Sequence, residues 1–147
     1  MNVEKSQSTG SVHKLTVGEL LSEVVPGFME IMGVPMNGKL GYNIGKNWRY
    51  LQSLQKEVHA MNSEEISKHA QMEENGNVKM SVKEGGRGAT PDYNSEESKK
   101  AYFDWYKEFT EKKVVELEYF PINSRELEAI NGVKPATLTS LSFMFHE

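Results

Sequence analysis

The sequence predicts a mainly α-helical domain with minor β content, an α+β fold built on a long antiparallel helical hairpin. Two apolar stripes and one alternating run carry that prediction. Ile44, Trp48, Leu51, Leu54, Val58 and Met61 recur at spacings of three and four, as do Tyr102, Trp105, Tyr106 and Phe109, with Phe103 on the flank. Val115, Leu117 and Tyr119 alternate with Glu116 and Glu118, the period of a half-buried strand. The two stripes are expected to zip together across residues 72–94, joined by a short hairpin or strand element and a C-terminal helix.

Taken in order, residues 1–14 are rich in Ser, Asn, Lys and Thr and offer little to bury. They are expected to form a disordered tail ahead of one domain spanning 15–147. Thr16 and Glu19 have capping-box spacing. Behind them Val17, Leu20, Leu21, Val24, Val25, Phe28, Ile31 and Met32 form a helical face over 17–32. Pro26 must kink or divide this helix, because proline lacks an N–H and its ring clashes with the preceding turn. Gly33 and Pro35 end it.

A glycine-punctuated loop through Asn37 and Gly41 then enters the long helix, roughly 41–61, which Asn62-Ser63 can recap and carry to about Gln71. Asn75-Gly76 marks a turn, and Val78, Met80 and Val82 alternate with Lys79, Ser81 and Lys83 as a short exposed strand. Gly85-Gly86-Arg87-Gly88 begins an irregular loop that runs to Asn94. Asn94 and Glu97 cap the aromatic helix over 95–113, and Lys112 and Lys113 complement the dipole of its last turn. Pro121 ends the strand Val114 to Tyr119. Asn123 and Glu126 cap a short turn over 125–130, which Asn131-Gly132 closes. Pro135 opens the final helix, which carries Leu138, Leu141, Phe143, Met144 and Phe145.

Composition narrows the function classes. A chain of 147 residues can bury about 68–70% of its unfolded surface without a staple. Net charge is −4 and pI about 5.6, which argues against duplex nucleic acid as a partner while leaving room for a local basic pocket. The absence of cysteine excludes disulfides, thiolate zinc sites, iron–sulfur clusters and a cysteine nucleophile. No stretch has the length and apolarity of a membrane span, and Met1 to Gly10 lack the apolar core of a signal peptide, so a cytoplasmic location is expected.

His13, His59, His69 and His146 contain no i, i+4 ligand pair, and no metal site is expected. There is no P-loop, no Gly-x-Ser-x-Gly elbow and no carboxylate pair placed for acid–base work. Neither an enzyme nor a cofactor is expected.

Binding chemistry concentrates at the entry to the long helix. Lys39, Lys46 and Arg49 gather beside Gly38, Gly41 and Gly45, where free backbone N–H groups favour an anion. Tyr42 and Tyr50 can stack on a base, and Arg87 on its glycine loop can close over a phosphate with a bidentate fork. The candidate ligand-binding set is therefore Lys39, Tyr42, Lys46, Asn47, Arg49, Tyr50 and Arg87. A solvated helix entry and a surface loop account for the same residues without any ligand.

Three segments carry a resemblance. Gly41-Tyr42-Asn43-Ile44-Gly45-Lys46-Asn47 opens a long helix, Glu73-Glu74-Asn75-Gly76-Asn77 is an acidic glycine-containing turn, and Ser124-Arg125-Glu126-Leu127-Glu128 precedes a Leu-rich helix from Leu138 to Met144. In these and in Val115 to Tyr119, the chain over about 17–145 resembles a family of small uncharacterised proteins encoded by phages and prophages of Gram-positive bacteria. The 83–94 loop looks longer and more basic than that pattern. The resemblance implies a phage-encoded, non-catalytic anti-defence protein that sequesters a small nucleotide-derived immune signal in the cytoplasm of the infected host. Alternatives are a phage structural or tail-assembly protein and a direct protein inhibitor of a host defence enzyme. The generous apolar faces at 17–32 and 135–145 add the expectation of a homo-oligomer.

Overall fold

Strand β1 (Ser11–Thr16) opens the described part of the computed structural model, which comprises residues 11–36, 38–82 and 88–146. The expected tail therefore gives way to a strand at Ser11–Lys14, and residues 1–10 lie outside the described part. β1 pairs antiparallel with the strand Val114–Tyr119, in a register that sets Leu15 beside Val115 and His13 beside Leu117 on the inner face. Val12 and Lys14 meet Glu118 and Glu116 on the outer face. Four mostly polar residues suffice for a strand because the partner supplies the ladder and most of the buried surface.

Helix α1 (Val17–Glu19) starts in the expected capping box. The Thr16 N–H donates to Glu19 Oε1 at 2.9 Å and the Glu19 N–H to Thr16 Oγ1 at 3.1 Å. A π-helical turn at Leu20–Val24 then leads into α2 (Val25–Met32), with Pro26 in its first turn. The Val25 N–H donates to the Leu20 carbonyl, five residues back, and the widened turn carries the chain past Pro26 where the ordinary bond cannot form. Gly18 lets α1 sit close to a neighbouring helix, since a Cβ there would lie 2.8 Å from the Thr110 carbonyl oxygen.

The long helix α3 (Gly38–Ile66) begins earlier than predicted and runs unbroken through Asn62. Asn62 does not recap it; the Tyr102 hydroxyl donates to its Oδ1 at 2.5 Å. Beyond α3 the chain folds into a small arm, where Ala70 bridges Tyr93 and Met72 bridges Val78, and strand β2 (Met80–Val82) pairs antiparallel with β3 (Ala89–Pro91). Gly76, at φ 87, turns this arm as expected from Asn75-Gly76. The aromatic helix α4 (Glu96–Lys112) is capped by Ser95 rather than Asn94, with the Ser98 N–H donating to Ser95 Oγ at 3.0 Å.

The fold is mixed α+β and mainly helical, as predicted. The zipper is not its organising contact. The most extensive contacts of α3 are with β4 (Val114–Tyr119), while α4 packs chiefly on α1. The aromatics of α4 stack mainly on one another, Trp105 on Phe109 with centroids 4.5 Å apart, and only Tyr102 and Phe109 are buried. Tyr106 remains 37% exposed and Phe103 52%.

After Pro121, β5 (Ile122–Asn123) leads into α5 (Ser124–Glu128), whose first N–H groups are capped by Asn123. Helix α6 (Pro135–Ser140) follows with proline in its first turn, then a 3₁₀ turn at Ser142–Met144. Strand β6 (Phe145–His146) closes the fold parallel to β5. The core joins Leu20, Phe28 and Ile31 to Ile44, Leu51 and Val58 of α3, Val115 and Leu117 of β4, and Leu127, Leu141 and Met144. Among the described residues no helix is long and apolar enough to cross a membrane.

The capping box makes stability depend on pH with a definite sign. The Thr16 N–H and hydroxyl hold the Glu19 carboxyl below the usual carboxylate range. The contribution is present above the ordinary carboxylate pKa and is lost as pH falls through the depressed one. Thr16→Ala should cost about 0.5–2 kcal/mol at pH 7. Denaturant titrations at pH 7 and pH 3 should show a smaller difference from wild type at the lower pH.

Candidate functional site

One face of α3 and the segment that follows β4 together place most of the predicted ligand-binding residues. The organising contact is Asn47, which sits in the apolar stripe between Ile44 and Leu51 and is 1% exposed. Its Nδ2 donates to the Phe120 carbonyl at 2.9 Å and its Oδ1 accepts from the Phe120 N–H at 2.6 Å. Nδ2 also lies 3.4 Å from Met144 Sδ. Both ends of the amide are thus spent inside the protein, so Asn47 leaves the candidate set and takes a structural role.

Holding the Phe120 backbone fixes its ring beneath Lys46. The Lys46 ammonium stands 3.8 Å from the Phe120 centroid and 4.9 Å from that of Tyr42, a cation held between two rings. Tyr50, half-buried, also packs against Phe120, with centroids 5.6 Å apart. Tyr42 is 63% exposed, and Lys39 and Arg49 are exposed on the same helix. Among the described residues, none of Lys39, Lys46 and Arg49 forms an ion pair with a carboxylate. Arg87 lies outside the described residues.

One hollow flanks the first turn of α3, and a second adjoins it through Asn123 and His146. One, of about 170 Å³, is lined by Lys39, Leu40 and Asn43 of α3 and by Pro121, Ile122, Asn123, Glu126 and His146. The other, of about 250 Å³, is lined by Asn123, Ser124, Arg125 and His146. Together they reach the lower part of the roughly 300–1,000 Å³ range of small-molecule sites. The first turn of α3 carries no acidic residue of its own, and Glu126 is the carboxylate that lines the hollow beside it. At the opposite end of the same seam, Val12, Tyr50, Ser53, Leu54, Glu57, Glu116 and Glu118 line a hollow of about 400 Å³ with a carboxylate rim.

Sequence reasoning placed Lys39 and missed Arg125, Asn123, Asn43 and His146 as its neighbours. Asn123 and Arg125 were legible only as parts of a short capped turn, because their approach to α3 depends on contacts far along the chain. Asn47 did carry a signal. An amide at a stripe position between Ile44 and Leu51 must be buried, and a buried amide must find partners.

Among the described residues no three His, Asp or Glu side chains stand together in a group able to hold a metal ion. No family model, curated protein or solved structure matches the chain.

Removing the Asn47 amide strands a part-buried peptide group at Phe120 and leaves a gap at a position that is 1% exposed. Asn47→Ala should lower unfolding free energy by about 2–4 kcal/mol, through two lost hydrogen bonds and the unsatisfied groups they leave. Arg49→Ala, on the exposed side of the same helix, should stay within about 0.5 kcal/mol of wild type. Equilibrium denaturation of the two variants measures the contrast.

Proposed function

We propose that the protein is a non-catalytic binder that captures a small phosphate-bearing ligand of nucleotide origin at the Lys39 end of α3. The observation that carries this reading is the convergence of Lys39 and Arg125 on two adjoining hollows beside an acid-free helix start. Neither cation has a carboxylate ion-pair partner among the described residues. A phosphate would take charge-assisted hydrogen bonds from both side chains. Asn43 and Asn123 offer further polar groups, and Glu126 can accept from a ribose hydroxyl or a base amine. The resemblance to small phage proteins supports the wider role, sequestration of a nucleotide-derived immune signal in the cytoplasm of the infected host.

A second reading has its own observation. The outer side of α4 exposes Phe103 and Tyr106, with Tyr93 packed edge-on against Phe103 at 5.8 Å. Met80 and Val82 of the neighbouring arm are also exposed. An aromatic surface of this kind suits a protein partner, which favours a phage structural or tail-assembly role.

Titration calorimetry with cyclic dinucleotides, ADP-ribose derivatives and inorganic phosphate separates the two. Under the first reading one nucleotide binds, and Lys39→Ala and Arg125→Ala each weaken it by about 1.5–3 kcal/mol with little change in melting temperature. Absence of binding, or binding unaffected by both substitutions, moves the assembly reading ahead.

A further inference from the structure

The exposed stripe of α3 reverses its charge halfway along. Lys39 and Lys46 lie two turns apart in its first half, and Glu57 and Glu64 lie two turns apart in its second. At 100° per residue these four positions fall within about 20° of one another around the helix. Lys39, Glu57 and Glu64 are exposed, Lys46 is half-buried, and none of the four forms an ion pair among the described residues. The midpoint of Lys46 and Glu57 coincides with that of Lys39 and Glu64, between Leu51 and Gln52. A surface that is basic at one end, acidic at the other and symmetric about its middle is complementary to itself turned through a half rotation.

We propose that α3 pairs antiparallel with α3 of a second copy of this chain, about a twofold axis at the height of Leu51 and Gln52 on the side of the helix that carries Tyr50 and Ser53. Lys46 of each copy then meets Glu57 of the other, and Lys39 meets Glu64. The same register explains the acidic hollow. Among the described residues its Glu57, Glu116 and Glu118 form no ion pair, although Lys14 is the register partner of Glu116, and its lining includes Tyr50 and Leu54. Lys46 of the second copy, meeting Glu57, brings a cation to that carboxylate rim. Tyr42, the most exposed aromatic ring of α3, comes opposite the small Ala60 of the second copy.

The paired stripe runs roughly 38 Å along the helix and is narrow, so the dimer belongs to the weak, salt-sensitive class. Association of this kind extends beyond the proposed ligand capture, with which it shares Lys39; the Lys46–Glu57 exchange tests it apart from that site.

Sedimentation equilibrium of the full chain at low ionic strength tests the register through charge exchange. Wild type should dimerise at micromolar concentrations and dissociate as salt rises. Lys46→Glu and Glu57→Lys should each weaken the dimer by about 10-fold or more, because each places like charges together twice across the axis. The double variant should return to within about 3-fold of wild type, and an equimolar mixture of the two single variants should form heterodimers. Lys39→Glu with Glu64→Lys gives a second exchange at solvent-exposed positions, and circular dichroism verifies folding of every variant. A wild type that stays monomeric at 100 µM in low salt overturns the proposal. So does a folded double variant as dissociated as its parents, or a dimer indifferent to all four substitutions.

Discussion

The structure depends on one side-chain amide reading one peptide group. Asn47 donates to the Phe120 carbonyl and accepts from the Phe120 N–H, as a neighbouring strand would. The sheet formed by β1 and β4 has only two strands, and one such amide lets a helix lie against its far edge without leaving polar backbone stranded there. Everything downstream inherits its position from that contact. The Phe120 ring is turned beneath Lys46, and Pro121 to Asn123 are delivered to the first turn of α3. Met144, at the other end of the C-terminal segment, closes over the same amide.

What the sequence disclosed follows the range of the interaction. The Thr16–Glu19 box, the Asn123 cap, the proline opening α6 and the strand Val114–Tyr119 depend on residues a few positions apart, and each is present where it was read. The pairing of β1 with β4 joins opposite ends of the chain, and four mostly polar residues gave no local sign of it. The two helical stripes were correctly recognised as helices, yet a stripe says that a face is buried and not what buries it. On α3 that partner is a strand, and the α4 aromatics largely satisfy each other. The candidate site divided in the same way. Lys39 and Lys46 stand out as cations near a helix start, whereas the approach of Arg125 and His146 is a property of the finished fold.

A single helix thus carries several kinds of surface at once. Its buried stripe supplies core, its Asn47 supplies the join to β4, and its outer stripe separates charge from end to end. These roles coexist because 3.6 residues per turn distributes successive positions around the axis, so neighbours in sequence face different neighbours in space. Lys46 and Asn47 illustrate it: one ammonium over an aromatic ring at the surface, the next residue wholly enclosed.

The wide turn at Leu20–Val24 has a consequence for chain length. It holds about one residue more than an ordinary helical turn, and Phe28 and Ile31 downstream are 0% and 1% exposed. Deleting one exposed residue of the turn would let it relax to regular helix while the helix that follows keeps its phase, because the widened turn absorbs the extra residue. Phe28 and Ile31 would keep their places, but Pro26 would then meet a regular turn, where its ring and missing N–H are not accommodated. Ser22 and Glu23 are exposed within the turn and tolerant of replacement by other side chains, yet their number serves the proline behind them. Surface position ordinarily permits gains and losses of residues; here the solvent-facing segment holds the extra residue that lets a helix run through a proline.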